Sequence, residues 1–245
     1  YVMDKNEFLN KQLFFLDFET NKKEDFFLVG LEIEDIYTCY IVEKNLYPLI
    51  ENKAYQSEFN LKTASTLNLV SKILSDVYLH KGILVGFSFA EMKLIRKLYD
   101  FKNIPDVQYL NLNIAAKLWR RNFYKKEYEN LPNFRQNKDN KFIAKKSSLS
   151  SIMRLLPKEI QAPTDYAPGK TTSRINDIIK GLNHKKKYEN LTAVQKGKAT
   201  KLLKHNKFDV VAMKPLLDDI IKKNTDLSFF DKALNSLQDD RYDKL

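Results

Sequence analysis

Apolar residues recur along the chain with two different periods. Gln12 to Thr20 (QLFFLDFET) is almost continuously apolar up to Asp17, which predicts a buried strand ending in a polar cluster. Phe26 to Glu34 and Ile36 to Glu43 predict two more strands, and the short turn between Ile33 and Ile36 predicts a hairpin. From Ser57 to Leu79 the spacing becomes helical, with Leu67, Val70, Ile73, Leu74 and Val77 on one face. Gly82 and the run Ile83-Leu84-Val85 then predict a buried strand. Phe89 to Tyr99 is again helical through Met92, Leu94, Ile95 and Leu98, and Asp106 to Leu110 predicts a short strand before a helix through Trp119. The order βββαβαβα predicts an α/β domain with a mixed sheet flanked by helices, not a bundle or a barrel.

Past Trp119 the periodicity fades. A basic insertion is expected over about 120–147, where Pro132, Asn and Lys dominate. Ser148 to Leu156 predicts a short helix closed by Pro157, and Gln161 to Gly169 an extended connector containing Pro163 and Pro168. Thr172 to Gly181 and Thr192 to about Ile221 predict helices, the second kinked at Pro215. A weakly patterned, acidic tail follows over 223–245, so a single domain with its core over about 12–222 is expected in 1–245. The stretch Pro168-Gly169-Lys170-Thr171-Thr172 lacks the first glycine of a phosphate loop and follows no strand, which argues against nucleoside triphosphate binding.

Composition narrows the function. Of 245 residues 43% are hydrophobic and 30% charged, with 16 Phe and 13 Tyr, enough to bury a core. No run reaches the roughly 18 apolar residues of a membrane span, and the start Tyr1-Val2-Met3-Asp4 lacks the pattern of a secretory signal. A cytoplasmic location without membrane partners is expected, and a first residue of tyrosine is consistent with a piece of a longer protein. One cysteine, Cys39, and three histidines leave too few soft ligands for a His/Cys cluster, so any metal chemistry is expected to run on carboxylates. His80 and His184 have no acid at ligand spacing and are read as structural.

The net charge of +11 is concentrated. Lys117 to Lys146 carries ten Lys/Arg against three acids, and Lys170 to Lys207 eleven against two, leaving the rest of the chain net acidic. Trp119, Phe123, Tyr124, Tyr128 and Phe134 interleave with Arg120, Arg121, Lys125, Lys126 and Arg135, a mixture that neutralises phosphates and stacks bases. A nucleic-acid partner, DNA or RNA presenting a single-stranded end, is expected to contact Arg120, Arg121, Lys125, Lys126, Lys185, Lys186 and Lys187. The competing readings are a solvated lysine-rich surface and, for the aromatics, the core side of an amphipathic helix.

Three fragments carry candidate chemistry. Asp17 and Glu19 are two apart on a strand and share one face, where adjacent carboxylates repel unless a cation lies between them. In Val85-Gly86-Phe87-Ser88-Phe89-Ala90-Glu91 a strand turns into a helix with Glu91 in its first turn, a place that the helix dipole favours for an acid of any role. In His205-Asn206-Lys207-Phe208-Asp209-Val210, His205 and Asp209 are four apart on one helix face, as a surface ion pair would also be. Asp100 and Asp106, flanking the next strand, are alternatives for the third acid.

In order and spacing these fragments resemble the DEDD exonuclease superfamily, which has an RNase H-like fold. FFLDFET matches its first motif, with Asp17 and Glu19. GFSFAEMKLI matches the second with Glu91 where Asp is usual, similar to the Phe-Glu variant of RNase H-like domains associated with RecB-type nucleases. HNKFDVVAM is similar to the Tyr-Asn-x-x-Asp-Val of that group, with His205 in place of Tyr and at a four-residue offset from Asp209. The resemblance spans roughly Gln12 to Lys222, with little support between Leu112 and Lys198. It implies a mixed RNase H-like sheet flanked by helices and a 3′–5′ exonuclease using two divalent ions, Mg²⁺ or Mn²⁺, about 3.5–4 Å apart. It implies Asp17, Glu19, Glu91 and Asp209 as metal ligands, Asp17 bridging both ions, and His205 as general base. Residues 205 and 209 differ from both family spacings in identity or offset, which leaves the aim of His205 open. Two alternatives stay beside it: an inactive nucleic-acid-binding module of a larger nuclease, helicase or defence assembly, and an endonuclease or transposase-like relative.

Overall fold

The computed structural model describes residues 5–21, 25–98, 106–131, 147–160, 171–224, 230 and 232–238. Strand β1 (Leu13–Thr20) sits at the middle of a seven-stranded sheet because both of its faces are apolar. Phe14, Leu16 and Phe18 pack on one side and Phe15 on the other. β2 (Phe26–Ile33) and β3 (Ile36–Ile41) follow antiparallel, as the hairpin predicted. Its turn is made by Glu34 and Asp35, both left-handed at φ 51° and 65°. That conformation matches the twist of the strands, and contacts from outside hold a pair that lacks the usual glycine: Gln12 Nε2 donates to Glu34 at 2.8 Å, and Lys214 Nζ lies 2.8 Å from Asp35.

The predicted helix over Ser57 to Leu79 is in fact two helices and a strand: α2 (Lys53–Phe59), β4 (Leu61–Thr63) and α3 (Thr66–Leu79). Asn60 breaks it, in the left-handed conformation at φ 46°, with its amide donating to Thr38 Oγ1 at 2.8 Å. β5 (Ile83–Gly86), α4 (Phe89–Leu98), β6 (Gln108–Asn111) and α5 (Leu112–Phe123) continue the alternation. The sheet order is β4-β3-β2-β1-β5-β6-β7, with β5 and β6 parallel to β1.

In the region expected to be a loop, α6 (Lys125–Asn130) is helical; residues 132–146, including Phe134 and Arg135, lie outside the described residues, as do 161–170 and Asp100. A short helix α7 (Leu149–Ile152) runs into a 3-10 turn, and α8 (Thr171–Lys185) follows. The kink expected at Pro215 falls earlier: α9 (Ala193–Val211) ends and α10 (Met213–Lys223) begins at Ala212. The proline ring cannot pass the carbonyl four residues back, that of Val211, whereas in the first turn of α10 its missing N–H costs nothing. Within the tail, the described residues 230 and 232–238 take up structure that its weak pattern does not predict. Leu234–Ser236 forms β7, antiparallel on the free edge of β6, and Phe230 stacks on Phe8 of the N-terminal helix α1 (Lys5–Leu9) at 4.9 Å.

Helices α3 and α4 cover one sheet face, while α5, α8, α9 and α10 cover the other, so the sheet is buried on both sides. Each fully buried Leu or Ile there, such as Ile83, Leu202 or Leu216, contributes roughly 2 kcal/mol. No helix among the described residues is long and apolar enough to cross a membrane.

Candidate metal centre

The site is built where β1 meets α9. Asp17 lies opposite Gly30 of β2, which lies opposite Cys39 of β3. Gly30 is what lets the helix approach, because a Cβ there would fall 2.5 Å from Asn206 Oδ1 and 2.6 Å from Val210 Cγ2. The close contact brings the fully buried Asn206 onto the sheet. Its Nδ2 donates to Asp17 Oδ2 at 3.0 Å, and its Oδ1 accepts from the Tyr37 hydroxyl at 2.8 Å.

One turn of α9 then places His205 and Asp209 over Glu19. His205 Nε2 is 3.4 Å from Asp209 Oδ2 and 3.9 Å from Glu19 Oε1. Glu19 Oε1 and His205 Nδ1 are buried and have no hydrogen-bond partner among the described residues. Glu91 arrives from α4, where its Oε2 accepts from Ser88 N at 3.1 Å, Ser88 Oγ at 3.0 Å and Tyr109 Oη at 3.2 Å. Gly86 makes room for this cap, since a Cβ would lie 3.2 Å from Glu91 Oε2 and closer still to Tyr109.

The electrostatics are those of crowded acids. Burial raises the Asp17 carboxyl well above its usual range, and Glu19, Asp209 and Glu91 raise it further against the Asn206 hydrogen bond. Glu19 is pushed up to about 7 by burial, partly offset by His205 and Arg174 and reinforced by Asp209. Asp209 is pushed up to about 7 by burial and then by Glu91. Glu91 is raised by burial, with the backbone and Ser88 hydrogen bonds pulling it back. Burial also lifts the Cys39 thiol to about 12, which removes it as a nucleophile.

Glu19, His205 and Asp209 present ligand atoms that all lie within 4.8 Å of one another. Two carboxylate oxygens beside one imidazole, with an orphaned Glu19 oxygen and raised acids around them, fit a divalent cation. Protein-family models and curated proteins give no match to the chain.

All five residues picked from sequence therefore gather on one patch. Asp106 does not join them; it accepts from Ser236 Oγ at 2.7 Å and ties down β7. His80 caps α3, its Nδ1 2.7 Å from the Asp76 carbonyl. Of the expected nucleic-acid contacts, Arg121, Lys125, Lys126, Lys186 and Lys187 are exposed and Lys185 is half-buried. Arg120 is not where it was expected: it is buried, with its guanidinium 4.2 Å from the centre of the Tyr128 ring. Trp119 is core, donating to Asp219 Oδ2 at 3.0 Å, and so is unable to stack a base, whereas Phe123 is exposed. Residue-level reading missed Tyr37, Ser88, Tyr109 and Arg174 as members of the site and missed the role of Asn206. Gly30 was the available signal, because a glycine inside an apolar strand marks close approach of another backbone or side chain.

Proposed function

We propose that the chain is a metal-dependent nuclease of RNase H-like fold, acting as a 3′–5′ exonuclease on DNA or RNA. The observation that carries the reading is the convergence of four carboxylates, Asp17 and Glu19 from β1, Glu91 from α4 and Asp209 from α9, close enough to raise one another's affinity for protons. Acids held against repulsion in this way are suited to cations. The strand run β3-β2-β1-β5-β6, in which β2 alone is antiparallel to β1, supports the RNase H-like assignment.

Asp17, Glu19, Glu91 and Asp209 would hold two Mg²⁺ or Mn²⁺ ions, which supply charge neutralisation at the phosphate and activation of the attacking water. Asn206 fixes one oxygen of Asp17 and leaves the other for the ligand role. His205 faces Glu19 and Asp209 through Nε2, where it can accept a proton from water. Exposed lysines and arginines on α5 and α6 and just past the end of α8 supply the contacts that hold phosphates without reading sequence.

One observation favours a second reading, an inactive RNase H-like nucleic-acid-binding module within a larger assembly. Glu91 gives a single oxygen to three donors, which a purely structural cap would also do. A cleavage time course with Mg²⁺ or Mn²⁺ on 5′-labelled linear DNA and RNA, single- and double-stranded, separates the two. A ladder shortening from the 3′ end that disappears in Asp17→Ala supports the exonuclease. Binding without cleavage on every substrate moves the assignment to the module.

A further inference from the structure

Glu32 lies on β2 between Phe15 of β1 and Tyr37 of β3, on the sheet face that carries Asp17. It is 3% exposed, yet among the described residues no group donates a hydrogen bond to its carboxylate. An acid this enclosed, with no donor at its oxygens, leaves them open to solvent or to a ligand. Glu32 forms part of the wall of a cleft of about 740 Å³ between the β2–β3 hairpin, α2 and the α9–α10 elbow.

We propose that this cleft binds a linear aliphatic polyamine, with the Glu32 carboxylate as its anchoring contact. The charge of the cleft selects a cation. Asp35, Glu58, Glu159 and Asp218 join Glu32 in lining it, against only Lys207 and Lys214. Both lysines are already engaged, Lys214 Nζ at 2.8 Å from Asp35 and Lys207 Nζ at 2.8 Å from the Glu58 carbonyl, and neither reaches the Glu32 oxygens. Burial, aided by Asp35 and opposed by Lys214, pushes Glu32 up to about 7, which a bound cation would reverse.

Shape and spacing select the kind of cation. A divalent metal needs converging oxygens, and among the described residues the one group of His, Cys, Asp or Glu that converges is Glu19, His205 and Asp209, not these acids. The cleft acids come instead from β2, the hairpin turn, α2, the 3-10 turn Lys158–Ile160 and α10, so the negative centres are spread out. Ile36, Tyr37, Val211 and Pro215 line the same space with apolar surface. Ammonium groups separated by methylenes match that alternation, and a volume in the range of small-molecule pockets accepts such a chain.

The inference is independent of nuclease activity and is tested without it. Spermidine is titrated by calorimetry into the full chain with saturating Mg²⁺, alongside an uncharged diol of similar length, in wild type, Glu32→Gln, Asp218→Asn and Asp17→Asn. The expected result is one saturable spermidine site, unchanged in Asp17→Asn, weakened at least tenfold in Glu32→Gln as expected for loss of a charge-assisted hydrogen bond, and weakened severalfold in Asp218→Asn, with no diol binding. Asp218 is exposed, so that variant remains informative if Glu32→Gln does not fold. Equal affinity in wild type, Glu32→Gln and Asp218→Asn would reduce the effect to diffuse surface charge and overturn the proposal. Loss in Asp17→Asn with retention in Glu32→Gln would move the amine to the metal centre, and binding of a lysine-rich peptide without spermidine would replace the small ligand by a protein; either result also overturns it.

Discussion

Removing divalent ions and raising the pH should destabilise this fold, and the size of the effect follows from two carboxyls. Glu19 titrates at about 7 in the folded chain against an ordinary 4.5. The folded state therefore holds a proton that the unfolded state has released, and stability falls as pH rises between those values. Below about 4.5 the contribution is fully present, and above about 7 it is lost. A difference of this size is worth about 3 kcal/mol for Glu19 alone. Asp209, also pushed up to about 7 from 3.8, adds a share of the same sign, reduced because a quarter of its side chain faces solvent. For a chain of this length the Glu19 share corresponds to a melting temperature lower by roughly 6–12 °C. Glu32 titrates in the same window for its own reason, so the series is run in wild type and in Glu32→Gln. Thermal unfolding in chelator from pH 5 to 8 should show the fall in both proteins, and millimolar Mg²⁺ or Mn²⁺ should restore most of it at pH 8. A melting temperature that is flat or rising across that range without metal would refute the account of crowded, uncompensated acids. A fall that metal leaves unchanged would keep the titration and remove the metal centre.

Gly30→Ala places a methyl 2.5 Å from Asn206 Oδ1 and 2.6 Å from Val210 Cγ2; it should cost about 1–3 kcal/mol in urea unfolding, and cleavage should fall about a hundredfold as α9 shifts on the sheet. Stability within experimental error of wild type would show that α9 has room to give. Asn206→Ala removes the donor to Asp17 and strands the buried Tyr37 hydroxyl, a loss of about 3–5 kcal/mol; a change under 1 kcal/mol in the same assay would deny that relay any weight. Replacing Lys186 and Lys187, just past the end of α8, by alanine should lower the slope of log affinity against log salt by about 1.4 on single-stranded DNA or RNA, and an unchanged slope would take these two lysines out of the binding surface.

The central strand and its acids were legible because their cause is local. β1 sits between two packed layers, so it must be apolar on both faces, and Asp17 and Glu19 stand out against Phe14, Phe15, Leu16 and Phe18 for that reason. Elements set by a single backbone conformation or by a partner were not legible. Nothing in the helical spacing of Ser57 to Leu79 reveals that Asn60 turns left-handed, because the conformation is held by its bond to Thr38 across the sheet. β7 is three residues, Leu234–Ser236, without period; it is a strand because the edge of β6 offers unpaired backbone groups. Arg120 reads as a surface cation beside Arg121, but helical rotation puts it on the buried side with Trp119, where Tyr128 covers its guanidinium.

The same rotation accounts for where the His205 side chain lies. At about 100° per residue, Asp209 lies roughly 40° and Asn206 roughly 100° from His205 around the axis of α9, so a single arc carries all three toward β1. The contacts agree with that arc: Asn206 reaches Asp17, while His205 lies between Glu19 and Asp209. A histidine one position earlier would stand roughly 140° from Asp209 on a straight helix, and α9 is continuous from Ala193 to Val211. On this backbone the four-residue offset is therefore the spacing that keeps an imidazole over the acids, and Gly30 is what lets the arc come near enough for the offset to matter.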